Sequence, residues 1–215
     1  MPGDWHLLKL CSETTRDMLW DGGLHDLGVL CGHTNEINQW RDIHNILCSL
    51  HESLLSDCRK EFVSKGNSQF ESYDKLFAHI ESVENSDEIS RFWSHVLTYL
   101  HAYTGFYFAL RSGNWNLRNA CLPKLTELFF AYSRNKYEEL ACQNLYDVMN
   151  LSDEFLWHFQ RIEWTISITG TKFQNVALDE GHEQVINKRL KELTARPSEY
   201  QTVTLANFMA FLDKI

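Results

Sequence analysis

Residues 35–65 read NEINQWRDIHNILCSLHESLLSDCRKEFVSK, and this stretch decides the fold class. Ile37, Trp40, Ile43, Leu47, Leu50, Leu54, Cys58 and Phe62 recur in it at steps of three and four. That is the period of one face of an α-helix, so the segment reads as a long amphipathic helix closed by Gly66-Asn67-Ser68. Its apolar stripe needs a partner. Downstream, Asp87 opens a second long helix carrying Ile89, Phe92, Val96, Leu100, Tyr103, Tyr107 and Leu110. This helix is dense enough in apolar residues to be central.

Working outward, a polar helix is expected over residues 70–83 and a solvated acidic loop over 81–88. Ser112-Gly113-Asn114 ends the central helix, and Asn114 caps the next one, over 115–132, where Pro123 predicts a kink. Helices follow over 135–149 and 152–162, the second with Ser152 as cap and Leu151 as staple. At the front, Asp4 is placed to cap a helix running to about Trp20, which Gly22-Gly23 stops, and a short helix covers 24–31. One segment, 164–169, alternates as a strand does. A lone strand cannot satisfy its own backbone, so part of a sheet is expected to be missing from the chain. A helix over 175–194, stopped by Pro197, and a terminal helix over 205–212 complete the reading. The fold class is mainly α: a helical bundle with a short β element.

Composition narrows the function. Of 215 residues, 44% are hydrophobic and 13% aromatic, with ten Gly and three Pro, which favours one domain of long helices over many short strands. The net charge of −9 argues mildly against free-standing nucleic-acid binding, which uses a basic surface, and does not exclude a metal-dependent site, which needs carboxylates. None of the six cysteines forms a Cys-x-x-Cys pair, and reduced thiols of an intracellular protein, nuclear or cytoplasmic, are expected. The N-terminal residues do not read as a signal peptide, and the most apolar run, 96–110, is too short to span a bilayer, so no membrane partner is expected.

The densest polar cluster is Asp179-Glu180-Gly181-His182-Glu183-Gln184-Val185-Ile186-Asn187. On a helix, Asp179, His182, Glu183, Ile186 and Asn187 share one face. Such a face can hold a divalent ion or work as acid and base, or it simply places acid in a first turn. Gly181 costs a helix roughly 1 kcal/mol against Ala, so close packing is expected there. Asp4 is likewise either a cap or a ligand. His25-Asp26 is an adjacent pair of the kind metal phosphohydrolases use, but His44, His51, His95 and His101 supply no matching ligand spacing. Lys188-Arg189-Leu190-Lys191, with Lys172 and Arg196, is a basic run open to either phosphate contact or plain solvation.

Four segments in order, Gly3-Asp4-Trp5-His6-Leu7-Leu8, Gly113-Asn114-Trp115-Asn116-Leu117, Phe129-Phe130-Ala131 with Arg134, Asn135 and Tyr137, and residues 178–187, resemble a family of uncharacterised proteins. That family is multicopy in cnidarians, sponges and other animals, looks transposon-derived, and is distantly similar to DDE transposases with a ribonuclease-H-like core. The resemblance implies that residues 1–215 are one domain, the C-terminal portion of a larger protein, with 35–162 the helical insertion and 163–195 a strand and acidic helix. It implies Asp4 and Glu183 as catalytic acids and Asp4, Asp179 and Glu183 as ligands of Mg²⁺. His6, His182 and Asn187 would support them, and Lys188, Arg189 and Lys191 would meet a nucleic-acid backbone. DNA would be the parent protein's partner. A first acid would lie upstream of Met1, so this chain would not cut DNA alone. The geometric expectation is that Asp4 and the Asp179/Glu183 face converge. The alternative is a non-catalytic helical protein-interaction module.

Overall fold

The structure, a computed structural model, describes residues 3–32, 37, 39–66, 73–84, 87–167 and 170–188. The chain is mainly helical. Helix α1 (Asp4–Leu19) runs through a wide π turn (Trp20–Leu24) into α2 (His25–Leu30). The expected stop falls at Gly23, whose left-handed φ of 107° is not helical and separates α1 from α2. The amphipathic stretch forms α3 (Trp40–Ser64), which buries Ile43, His44, Ile46, Leu47, His51 and Phe62. Helix α4 (Tyr73–Glu84) continues to Glu84, into what read as an acidic loop, because Leu76 and Ile80 anchor it against Phe62 and Leu97.

Helix α5 (Glu88–Ser112) is the spine, with Val96, Leu97, Leu100, Tyr103, Phe106, Ala109 and Leu110 buried. Its first turns project past the core, leaving Ile89 72% and Phe92 41% exposed where the sequence placed them inside. Asp87 caps it by accepting from the Ser90 amide. At its other end Gly113, at φ 70°, closes the helix in a left-handed turn: its amide donates to the Leu110 carbonyl and the Asn114 amide to that of Ala109. Asn114 then caps α6 (Trp115–Ala131) by accepting from the Leu117 amide. One Gly-Asn pair thus turns the chain back, so that α6 packs along α5. Helix α6 runs on through Pro123. Helices α7 (Asn135–Asn150) and α8 (Asp153–His158) follow, α8 capped by Ser152 and continued by a π turn (Phe159–Glu163).

The strand has a partner within the chain. β1 (Thr165–Ser167) pairs antiparallel with β2 (Asn175–Ala177), Ile166 opposite Val176. The expectation of a missing sheet partner, and of a helix beginning at 175, are both corrected here. β-branched Val176 pairs across to Ile166, and Phe173 at φ 61° marks the turn between the strands. Helix α9 (Leu178–Gly181) starts only after β2 and passes into a π turn (His182–Asn187). Gly181 is buried on the hairpin, and a Cβ there would press on the Ile166 side chain at 3.0 Å, which is the close packing its presence in a helix called for. Arg189, Lys191, Pro197, Arg196 and the helix expected over 205–212 lie outside the described residues.

The main core gathers Leu7, Leu8 and Cys11 of α1, Ile43 and Leu47 of α3, Leu100 and Phe106 of α5, Leu122 and Phe129 of α6 and Ala177 of β2, beside the smaller cluster under α4. All six cysteines are free. Among the described residues, no helix is long and apolar enough to cross a membrane.

Candidate functional site

The two ends of the described chain meet at the start of α1. Gly3 is its N-cap residue and has no side chain to satisfy the first amides. Asp179, at the start of α9, does so from across the fold. Its carboxylate accepts from the Trp5 amide at 3.2 Å, the His6 amide at 3.1 Å and His6 Nδ1 at 2.8 Å. A carboxylate on a helix N-terminus also gains from the helix dipole. Gly3 is required by this approach: any Cβ there would collide with the Asp179 carboxylate.

Asp4 sits in the first turn of α1 rather than at its cap, and it turns inward. It is buried, and both its oxygens accept from one guanidinium: Arg118 Nε donates to Oδ2 at 2.7 Å and a terminal Arg118 nitrogen to Oδ1 at 2.6 Å. Burial raises the Asp4 carboxyl above its usual range, and the Arg118 guanidinium pulls against that rise. The two-point geometry is that of a carboxylate held by a fork of donors. Arg118 is itself 1% exposed, and its remaining donors go to Asn144 Oδ1 at 3.1 Å and Asn119 Oδ1 at 2.9 Å. The ring of Trp115 lies 4.8 Å from the guanidinium carbon, and Trp164 and Phe159 meet Trp115 edge-on at 5.3 and 5.4 Å.

Over this buried pair opens a cleft of about 540 Å³. Its walls are apolar, from Leu151, Phe155, Phe159, Trp164 and Leu178, and Asp4, Arg118, Asp147, Asp179 and His182 supply the polar surface. Of the residues expected at a site, Asp4, Asp179 and His182 line this cleft, and His6 reaches it by its bond to Asp179. Glu183 and Asn187 are partly buried in the π turn beyond α9, and Lys188 is exposed. The buried acid of that segment is Glu180, whose Oε1 lies 4.0 Å from Arg111. His25 and Asp26 pair with each other at 3.3 Å on the surface of α2.

The chemistry of this arrangement is ionic and self-contained. Asp4 spends both oxygens on Arg118, and Asp179 spends its own on the α1 amides and His6. In this arrangement the described side chains do not fit a pair of Mg²⁺ ions, which need carboxylate oxygens free to bridge them about 4 Å apart. Among the described residues, no group of three or more His, Cys, Asp and Glu stands in an arrangement that would hold a metal.

Arg118 and Asn144 escaped the sequence reading. The signal was present: Trp115, Arg118, Leu122 and Leu125 share one buried face of α6, and a cation in an apolar stripe demands a buried anion. The pairing partner, 114 residues away, had no local signature.

No curated protein and no solved structure matches the chain. A family model described as a domain of unknown function, DUF8702, matches residues 25–208, so that Arg118, Trp164 and Asp179 fall inside the matched segment and Asp4 before it. With most of its length so matched, the chain belongs to the family defined by the domain of unknown function DUF8702.

Proposed function

We propose that this protein is a non-catalytic helical binding module, whose frame is inherited from the C-terminal half of a ribonuclease-H-like transposase, and that its cleft receives a short basic-apolar peptide segment. The observation that carries the reading is the Asp4–Arg118 pair. Asp4 and Asp179 come from distant parts of the sequence to one cleft, as the acids of a nuclease centre would. The positive charge between such acids belongs to a metal in the nuclease, whereas here a guanidinium supplies it. A site closed in this way keeps the architecture and gives up hydrolysis.

The apolar walls favour an aliphatic or aromatic side chain, and the Asp147 carboxylate favours a Lys or Arg beside it. The chain's net charge of −9 steers the same class of partner. The test uses the full chain and a library of ten-residue peptides pairing Leu, Phe or Trp with Lys or Arg. Saturable binding is expected, lost in Phe155→Asp, a change at a half-exposed wall position that leaves the core intact. Mn²⁺- or Mg²⁺-dependent nicking of DNA, abolished by Asp179→Asn, would overturn the non-catalytic reading. Peptide binding indifferent to Phe155→Asp would overturn the cleft.

A further inference from the structure

Away from the cleft, on the seam between α3 and α5, two imidazoles face each other. His101 Nδ1 lies 3.3 Å from His51 Nε2. We propose that His51 and His101 form a binding site for one divalent transition ion of the zinc, copper and nickel class.

Three features of the seam argue for it. The first is spacing. Two nitrogens bound at about 2.0–2.1 Å to one tetrahedral ion stand about 3.3–3.4 Å apart, which is the separation already present. The second is the tautomer. The Thr104 hydroxyl donates to the Leu100 carbonyl at 2.9 Å, so its oxygen is left to accept from His51 Nδ1, 3.5 Å away. With the His51 proton directed to Nδ1, the Nε2 lone pair points at His101. Such an outer partner orients a metal-ligating imidazole and fixes which nitrogen is free. The third is poise and access. Phe77 of α4 packs on the His101 ring at 4.8 Å, holding it in place, while His101 is otherwise exposed, so an ion enters from solvent. The exposed Glu52 beside His51 adds a negative field.

Among the described residues no third His, Cys, Asp or Glu completes the set, so solvent fills the remaining positions. Imidazole nitrogen suits zinc, copper and nickel, and discriminates against Mg²⁺ and Ca²⁺, which prefer oxygen.

Calorimetric titration of the full chain with Zn²⁺ and with Cu²⁺ tests the site. One ion per chain is expected, Cu²⁺ held more tightly than Zn²⁺, with no response to Mg²⁺. The Cu²⁺ electron paramagnetic resonance spectrum should show splitting from two imidazole nitrogens. His101→Gln, at an exposed ring, should weaken binding at least tenfold, and Thr104→Val, which frees the His51 tautomer, should weaken it by roughly tenfold while leaving the two-nitrogen spectrum in place at saturation. Unchanged binding in His101→Gln would overturn the proposal, because the ion would then sit on histidines elsewhere. Absence of saturable Zn²⁺ or Cu²⁺ binding by the wild-type chain would overturn it equally.

Discussion

At Arg118 a cation lies in an apolar helix face, stacked on Trp115 and forked onto Asp4. Its removal exposes what the pair does. Arg118→Ala leaves Asp4 buried and unpaired, and should cost about 3–5 kcal/mol of unfolding free energy in urea denaturation. Arg118→Lys keeps the charge but loses the fork that serves both Asp4 oxygens and Asn144, and should recover only part of that loss. Asp4→Asn combined with Arg118→Met removes both charges and should be far closer to wild type than either single change, since most of the penalty in a broken buried pair is the stranded partner. Equal losses in the single and double variants would mean that packing, not charge, holds this corner.

At the scale of elements, α3 and α5 meet through a polar seam. His44 stacks on Trp40 and meets Tyr107 at a tilt, its Nδ1 lies 2.8 Å from the Tyr103 hydroxyl, and Cys48 and Arg111 flank it. Burial, helped by the Arg111 charge, lowers His44 to about 4, and burial lowers His51 and His101 as well. Each ring takes a proton less readily in the fold than it does once the fold opens. The unfolded chain therefore binds protons first as the pH falls below about 6.5, and stability rises with pH across that window. Acidification from about pH 7 to about pH 4 should lower the urea midpoint steadily, with His44 contributing on the order of 3 kcal/mol. His44→Gln should flatten that slope between pH 6.5 and the His44 value of about 4. A slope identical in the wild type and His44→Gln would remove His44 as its source.

For the whole molecule, stability is distributed unevenly. Helix α5 contributes nine buried residues, whereas α7, of 16 residues, buries only Ala141 and Asn144. Tyr146 and Met149 on α7 are 61% and 83% exposed. Few apolar contacts mean cheap local opening. Amide hydrogen exchange should therefore release α7 and α8 well before α5 and α6, and Asn144, bonded to Arg118, should be the last of α7 to exchange. Uniform protection across all four helices would show that the molecule opens only as a whole. The tie between Asp179 and α1 works in the opposite sense, joining residues 174 apart in sequence into one closed structure.

What the sequence by itself determined is local. The stripe from Ile43 to Phe62, the caps Asp87, Asn114 and Ser152, and the break at Gly113 were all legible, because helix periodicity and capping are written within a few residues of chain. Asp4 and the acidic face of Asp179 and Glu183 each stood out in the local pattern, whereas their grouping came from a resemblance and not from spacing. The rest depended on distance. β2 lacked the length and alternation to read as a strand and became one only by pairing with β1. Asp4 read as a cap or a ligand until the turn at Gly113 brought Arg118 beneath it. Only tertiary structure decided these, because a carboxylate's role is fixed by the charge it faces, and that charge was 114 residues away.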